Sequence, residues 1–230
     1  GLFDPTVQPL WAAYAQSGGR PSDSQIAAAL RLVGWSGVKF DEGHVRLARQ
    51  GMQLTLNGIA QGFITDRVAG LLRSQGLADA IVDIGEIAAL GQHPGGAPWR
   101  IGLAARSDLP ADGHVGLPDG LSLATSSTYG TRFASGAGHI LDPRDGLPAA
   151  PSWERVTIMH PSAAMADGLS TAAAMMDEKR LTRLAREVPA VRIVAKDKTI
   201  DPGAELSSPE MTGCAYESTT ISCRHGVYRL

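Results

Sequence analysis

The residues best suited to chemistry are short and oxygen-bearing. In Ala166-Asp167-Gly168-Leu169-Ser170-Thr171 the pattern predicts a helix on which Asp167, Ser170 and Thr171 stand at i, i+3 and i+4. Their oxygens then share one face, and Met165, Leu169, Ala172 and Met176 take the other. A face turned to solvent usually carries long Lys, Glu or Arg side chains. Short hard-oxygen donors instead suit Mg²⁺, which keeps waters and shares its shell with substrate phosphates. Both readings stand at this point.

Three further segments bear reactive or ligand-binding groups. Thr55-Leu56-Asn57-Gly58-Ile59-Ala60-Gln61-Gly62 lies between a predicted strand and a predicted helix. Glycine there lets backbone approach a ligand, and a helix start offers N–H groups to an anion. The same composition also makes an ordinary turn. In Gly138-His139-Ile140-Leu141-Asp142-Pro143-Arg144-Asp145-Gly146-Leu147-Pro148, a strand ending in His139 meets an Asp-Pro turn. The imidazole suits a general base or a phosphate donor, or else a structural role. Asp142 either orients a partner or closes the turn. His44, His93, His114, His160 and His225 have no comparable setting. The hydroxyl run Thr125-Ser126-Ser127-Thr128 follows a predicted strand and reads as a phosphate site or a polar loop. No G-x-S-x-G elbow and no P-loop occurs.

These groups need elements to hold them. Pro9 to Leu32 reads as helix interrupted at Ser17-Gly18-Gly19-Arg20-Pro21, with Ser22 or Ser24 as N-cap and Ile26, Leu30 and Val33 on one face. Val38 to Leu47 reads as a hairpin, and Gln53 to Leu56 as a short strand. Gly58 to Ser74 reads as a helix with a core stripe of Ile64, Val68, Leu71 and Leu72, ended by Gly76. Strands are expected at Ala80–Ile84, Trp99–Ala104, Leu121–Thr125, Arg155–Met159 and Val191–Ala195. Helices are expected from Pro161 to about Met176 and at Glu178–Glu187. Gly91 to Gly120 is rich in loops. The order is mixed rather than a β-α alternation. It predicts an α+β fold with a mainly antiparallel sheet and flanking helices.

Composition narrows the function classes. The 230 residues carry a formal net charge of -2, which leaves no electrostatic footprint for nucleic acid. No apolar run is long enough to span a bilayer, and no Lys/Arg cluster marks a membrane-surface helix. Aromatics make up 5%, so the core must come from Ala, Leu, Val and Ile. Gly 27 and Pro 14 exceed ordinary usage without a collagen period, which places the excess in turns. Cys214 and Cys223 lack CxxC spacing and form either one disulfide or two free thiols.

Taken together, the segments resemble the ApbE-type FAD:protein FMN transferases. The resemblance rests on Phe3-Asp4-Pro5-Thr6-Val7 with Pro9-Leu10, on Asn57-Gly58-Ile59-Ala60-Gln61-Gly62, and on Val82-Asp83-Ile84-Gly85-Glu86. It continues through Ala124-Thr125-Ser126, His139 to Gly146, and Ala166 to Thr171, in the family's order and as far as about Met176. It implies one flavin transferase domain over residues 1–230. It also implies that the family's N-terminal segment, which completes the sheet and contacts flavin, is missing from this chain. The implied reaction cleaves FAD, joins FMN to a Thr or Ser hydroxyl of an acceptor protein, and releases AMP, with Mg²⁺ required. The acceptor would be a redox-complex subunit, and the location the periplasm or the outer face of the inner membrane.

By the same resemblance, the metal ligands fall on Asp167, Ser170 and Thr171, with a main-chain oxygen at Gly58. FAD contacts fall on Leu2, Phe3, Asp4, Thr55, Gln61 and Leu141, and the base on His139. Three positions depart from the family's pattern. Gln61 stands where many members have Lys, Thr55 where many have Asp, and Ser170 where some have a second Asp. One carboxylate in place of two weakens the expected hold on a metal. An FAD pyrophosphatase, or a flavin-binding accessory protein without catalysis, are the alternatives.

Overall fold

The computed structural model describes residues 1–104, 109–127, 130–150 and 152–197, and the backbone of 216–217, 220–221 and 227–229. Cys214, Cys223 and Thr128 lie outside the described residues. The chain divides into two compact units, Gly1–Asn57 with Thr128–Pro151 and Gly58–Ser127 with Ser152–Leu230.

The first unit opens with a single 3₁₀ turn at Pro5–Val7, followed by α1 (Gln8–Gln16) and α2 (Asp23–Leu30). Ser22 caps α2 in a reciprocal box with Gln25, as the sequence pattern implies. After a second 3₁₀ turn at Trp35–Gly37 come β1 (Val38–Phe40) and β2 (Val45–Leu47), the expected antiparallel hairpin. Leu10, Tyr14, Ala29 and Leu141 form the core, with Ile26, Leu30 and Val33 packed against it. Two expectations fail here. Gln53–Leu56 belongs to no ladder, because its neighbour is the 3₁₀ turn: the Thr55 N–H donates to the Pro5 carbonyl at 2.8 Å. His139 ends no strand either. Its segment is held by isolated bridges, Arg132 to Gly138 and Leu141 to Pro148.

The second unit begins with α3 (Ala60–Ser74), β3 (Ala80–Asp83) and β4 (Ile87–Leu90). It continues with β5 (Trp99–Leu103), β6 (Gly113–Leu117), β7 (Ser122–Ser127) and β8 (Trp153–His160). Then follow α4 (Ala163–Ala173), α5 (Glu178–Glu187), β9 (Arg192–Asp197), β10 (Tyr216–Glu217), β11 (Thr220–Ile221) and β12 (Val227–Arg229). Six strands form one sheet in the order β12-β9-β8-β7-β4-β3, antiparallel except for the β12–β9 pair. The period-2 alternation of its strands sends Ala124, Val156, Ile158 and Ile193 to one core, which includes Ala166 of α4 and Leu181 of α5. Leu123, Met159 and Val194 go to the other, against Ile101, Leu103, Val115 and Leu117 of the β5–β6 hairpin. The sheet is therefore covered on both faces.

The α+β class and the mainly antiparallel sheet agree with the sequence reading. The strands β4 and β6 do not follow from it. Ile-Ala-Ala-Leu is weak strand sequence, and β4 is a strand because β3 and β7 flank it. The expected core stripe of α3 is also corrected. Ile64 and Leu71 are 52% and 59% exposed, while Gly62, Thr65 and Ala69 are buried and Val68 and Leu72 half-buried. The small residues of α3 take the inner face because a second helix comes close there.

Candidate functional site

That second helix is α4, and its inner face is the oxygen-bearing one. Ala163, Ala166, Asp167, Ser170 and Ala173 are buried, whereas Met165 on the opposite face is 45% exposed. Of the two readings of this face, the structure excludes the solvent-facing one for Asp167 and Ser170. A carboxylate takes a buried position among alanines because they let neighbouring backbone come near. At the contact, a Cβ on Gly62 would lie 2.3 Å from the Ala163 carbonyl oxygen, so only glycine fits.

The approach gives Asp167 a backbone partner. Helix α3 has no side-chain cap of its own at Ile59. Its third N–H, from Gly62, donates to Asp167 Oδ2 at 3.1 Å, so a side chain of α4 caps α3. Among the described residues nothing donates to Oδ1. Burial pushes the Asp167 carboxyl above its ordinary range, and the Gly62 N–H pulls the other way. Ser170 Oγ donates to the Asp167 carbonyl at 2.9 Å, and the Ser126 hydroxyl lies 2.8 Å away on its other side. Ser170's single proton is thus spent inside α4, so Ser126 is the donor to it. Thr171 is half-buried, and among the described residues no hydrogen bond reaches its side chain. Gly58 sits in the turn before α3 at φ +82°, a conformation other residues rarely adopt. Gln61 is exposed, and its amide lies over Gly85: a Cβ there would be 2.5 Å from Gln61 Nε2.

Within the hydroxyl run, Thr125, Ser126 and Ser127 are part of β7 rather than a loop beyond it. Thr125 pairs with Thr157 at 2.8 Å, Ser126 with Ser170, and Ser127 donates to the Glu154 carbonyl at 2.9 Å. Its members serve the sheet and α4. Glu86, quoted in the sequence blocks without a role, is 9% exposed. Burial, with Asp167 and Asp83 nearby, raises its carboxyl to about 8.

The first unit gathers the remaining predicted residues in two places. Asp4 ties the entry together. Oδ1 accepts from the Thr6 N–H at 2.9 Å and the Thr6 hydroxyl at 2.6 Å, and Oδ2 accepts from the Trp35 N–H at 3.2 Å. Its carboxylate is occupied in shaping the loop that carries half-buried Leu2 and Phe3. Thr55 joins this cluster through Pro5, and its hydroxyl accepts from the Asn57 N–H at 3.1 Å. Elsewhere in the unit, the Leu141 side chain belongs to the core. Asp142 closes the turn, its carboxylate accepting from the Arg144 backbone and guanidinium at 2.9 Å each. The turn reading of Asp142 is the correct one.

His139 Nδ1 lies 2.7 Å from the Thr131 carbonyl oxygen. A carbonyl only accepts, so Nδ1 carries the proton and Nε2 keeps its lone pair. Burial holds the imidazole below its ordinary pKa, and the Thr131 bond opposes that shift. His139 is therefore neutral near pH 7, with an acceptor nitrogen available: the state a general base requires.

The chain, with its α+β fold, has counterparts among known proteins. Residues 1–194 match the ApbE family, and the chain belongs to it. The FAD:protein FMN transferase of Vibrio cholerae serotype O1 is 30% identical over 86% of this chain and 63% of its own length. The FAD:protein FMN transferase of Treponema pallidum is 35% identical over 68% of this chain and 47% of its own length. The solved flavin transferase ApbE from Vibrio cholerae superposes with a TM-score of 0.73 at 28% identity, covering 86% of this chain and 66% of that one. The chain thus spans about half to two-thirds of these relatives.

Proposed function

We propose that this chain carries the site of a Mg²⁺-dependent FAD:protein FMN transferase, which moves FMN from FAD to a Thr or Ser hydroxyl of an acceptor protein and releases AMP. The observation that carries the reading is buried Asp167, with one carboxylate oxygen open, in a chain of the ApbE family. The donor set fits the metal. Asp167 Oδ1 lacks a hydrogen-bond donor, and Thr171 and the Gly58 carbonyl are hard oxygens of the kind Mg²⁺ takes alongside water. Among the described residues no group of three or more His, Cys, Asp or Glu is placed to hold a metal. When bound, Mg²⁺ supplies neutralisation of phosphate charge.

The chain's own groups do the rest. His139 Nε2 takes the proton of the acceptor hydroxyl. The hydroxyl oxygen forms a bond to the FMN phosphorus as the bond from that phosphorus to the AMP oxygen breaks. Leu2, Phe3, Asp4, Thr55, Gln61 and Leu141 are proposed to contact FAD. Asp4 and Leu141 do so through backbone, since their side chains are used within the fold. With Gln61 in place of a cation, neutralisation falls more heavily on the metal. We assign the protein to the periplasm or the outer face of the inner membrane, with a redox-complex subunit as acceptor, from family membership. No helix among the described residues is long and apolar enough to cross a membrane.

The test is incubation with FAD, Mg²⁺ and an acceptor carrying Ser and Thr. Flavin fluorescence on the denatured acceptor, with AMP in equal amount, is the expected result. Free FMN and AMP alone would make the protein a pyrophosphatase, and no turnover would make it an accessory protein.

A further inference from the structure

We propose that Glu86 is a second carboxylate ligand of the cation held by Asp167. The inference rests on the metal reading above and extends it to a residue outside the expected ligand set.

The geometry begins on α3. Gly62 and Thr65 are at i and i+3, neighbours on one helix face. Gly62 donates its N–H to Asp167 Oδ2 at 3.1 Å, and Thr65 Oγ1 donates to the Glu86 carbonyl at 3.3 Å. One turn of α3 therefore anchors both acidic residues. Gln61, one residue earlier, lies over Gly85 and fixes the turn that presents Glu86.

The side chain of Glu86 has no partner to explain its place. It is 9% exposed, and among the described residues no hydrogen bond or ion pair reaches its carboxylate. Buried carboxyl groups are normally hydrogen-bonded or paired, since an isolated one is costly. Here the nearby charges are Asp167 and Asp83, both of the same sign. Asp167 Oδ1 is likewise without a donor. Two buried acidic residues tied to one turn of α3, each with carboxylate oxygens that no described donor reaches, are what a divalent cation would complete. Water and phosphate oxygens would fill the remaining shell.

The test compares the wild type, Glu86→Gln and Asp167→Asn, using Mn²⁺ as probe by electron paramagnetic resonance and Mg²⁺ in competition. Melting temperatures are measured with and without cation. Mn²⁺ affinity in Glu86→Gln is expected to fall at least about 10-fold, with the cation-free melting temperature not lowered. Unchanged affinity in Glu86→Gln, with binding lost in Asp167→Asn, would overturn the role of Glu86 and leave the transferase reading standing. An affinity loss matched by a lower cation-free melting temperature would mark Glu86 as a packing residue and also overturn it. A wild type that binds no Mn²⁺ would overturn the metal reading and this inference together.

Discussion

At the residue scale, the proposed chemistry rests on how three ionisable side chains behave in their surroundings. Asp167→Asn keeps the shape but removes the charge, so Mg²⁺-dependent transfer should fall to background while the protein still melts cooperatively. A variant as active as wild type would remove Asp167 from the site. His139 is held neutral, so His139→Gln should lower transfer by about 10²–10⁴-fold and leave FAD binding intact. Because burial lowers its pKa, the acid limb of the rate profile assigned to it should lie below the ordinary 6.5. A limb that stays in place in His139→Gln would refute the assignment. Glu86 carries a consequence for stability. A carboxyl that is raised from 4.5 to about 8 on folding binds its proton more tightly in the folded chain. Its contribution is fully present below 4.5 and is lost as pH rises through about 8. Without cation, the melting temperature should therefore fall between about pH 5 and pH 8, and Glu86→Gln should flatten that fall. Asp167, shifted the same way, contributes in the same sense.

At the scale of elements, the contact between α3 and α4 sets the position of Asp167, and glycine makes that contact possible. Gly62→Ala would drive a methyl to 2.3 Å from the Ala163 carbonyl, and backbone cannot step aside as a side chain can. The expected cost is about 1–3 kcal/mol in urea unfolding, with Mg²⁺ affinity lowered as α4 is displaced. The helices are also tied a turn further on. Asp66 of α3 accepts from the Ser162 hydroxyl at 2.8 Å and from the Ala163 and Ala164 N–H groups at 2.7 and 3.1 Å. Each helix therefore caps the other: Asp66 caps α4 and Asp167 caps α3. Asp66→Ala should destabilise by about 1–2 kcal/mol in the same assay, and a smaller effect would show that Ser162 suffices as cap.

At the scale of the whole molecule, α4 and α5 cover one side of the central sheet and the β5–β6 hairpin covers the other. Burial on both sides also buries a charge. Arg155 of β8 is 1% exposed and pairs with Asp112 before β6, while among the described residues its Nε and Nη2 find no partner. Asp112 also binds Lys196, which reaches Glu154. Asp112→Asn would leave the guanidinium buried with its charge uncompensated. Its expected cost of about 3–5 kcal/mol should exceed that of Arg155→Met, since removing a buried charge is milder than stranding one. Equal costs would show that Asp112 is screened by water.

The sequence by itself determined what depends on local spacing. The i, i+3, i+4 oxygens of Asp167, Ser170 and Thr171, a cap at Ser22 or Ser24, the β1–β2 hairpin and the blocks shared with the ApbE family are properties of neighbouring residues, and all were legible; the structure chose Ser22 and paired it with Gln25. The tertiary structure decided which faces are buried and which donors are spent. It put the oxygen face of α4 inside, turned Ile64 and Leu71 out, and made Ile87–Leu90 a strand between β3 and β7. It also used the carboxylates of Asp4 and Asp142 in turns, leaving open oxygens on Asp167 and Glu86. The reason is physical. A side chain's direction along its own helix or strand follows from periodicity, whereas its partner comes from segments remote in sequence: 105 residues separate Gly62 from Asp167.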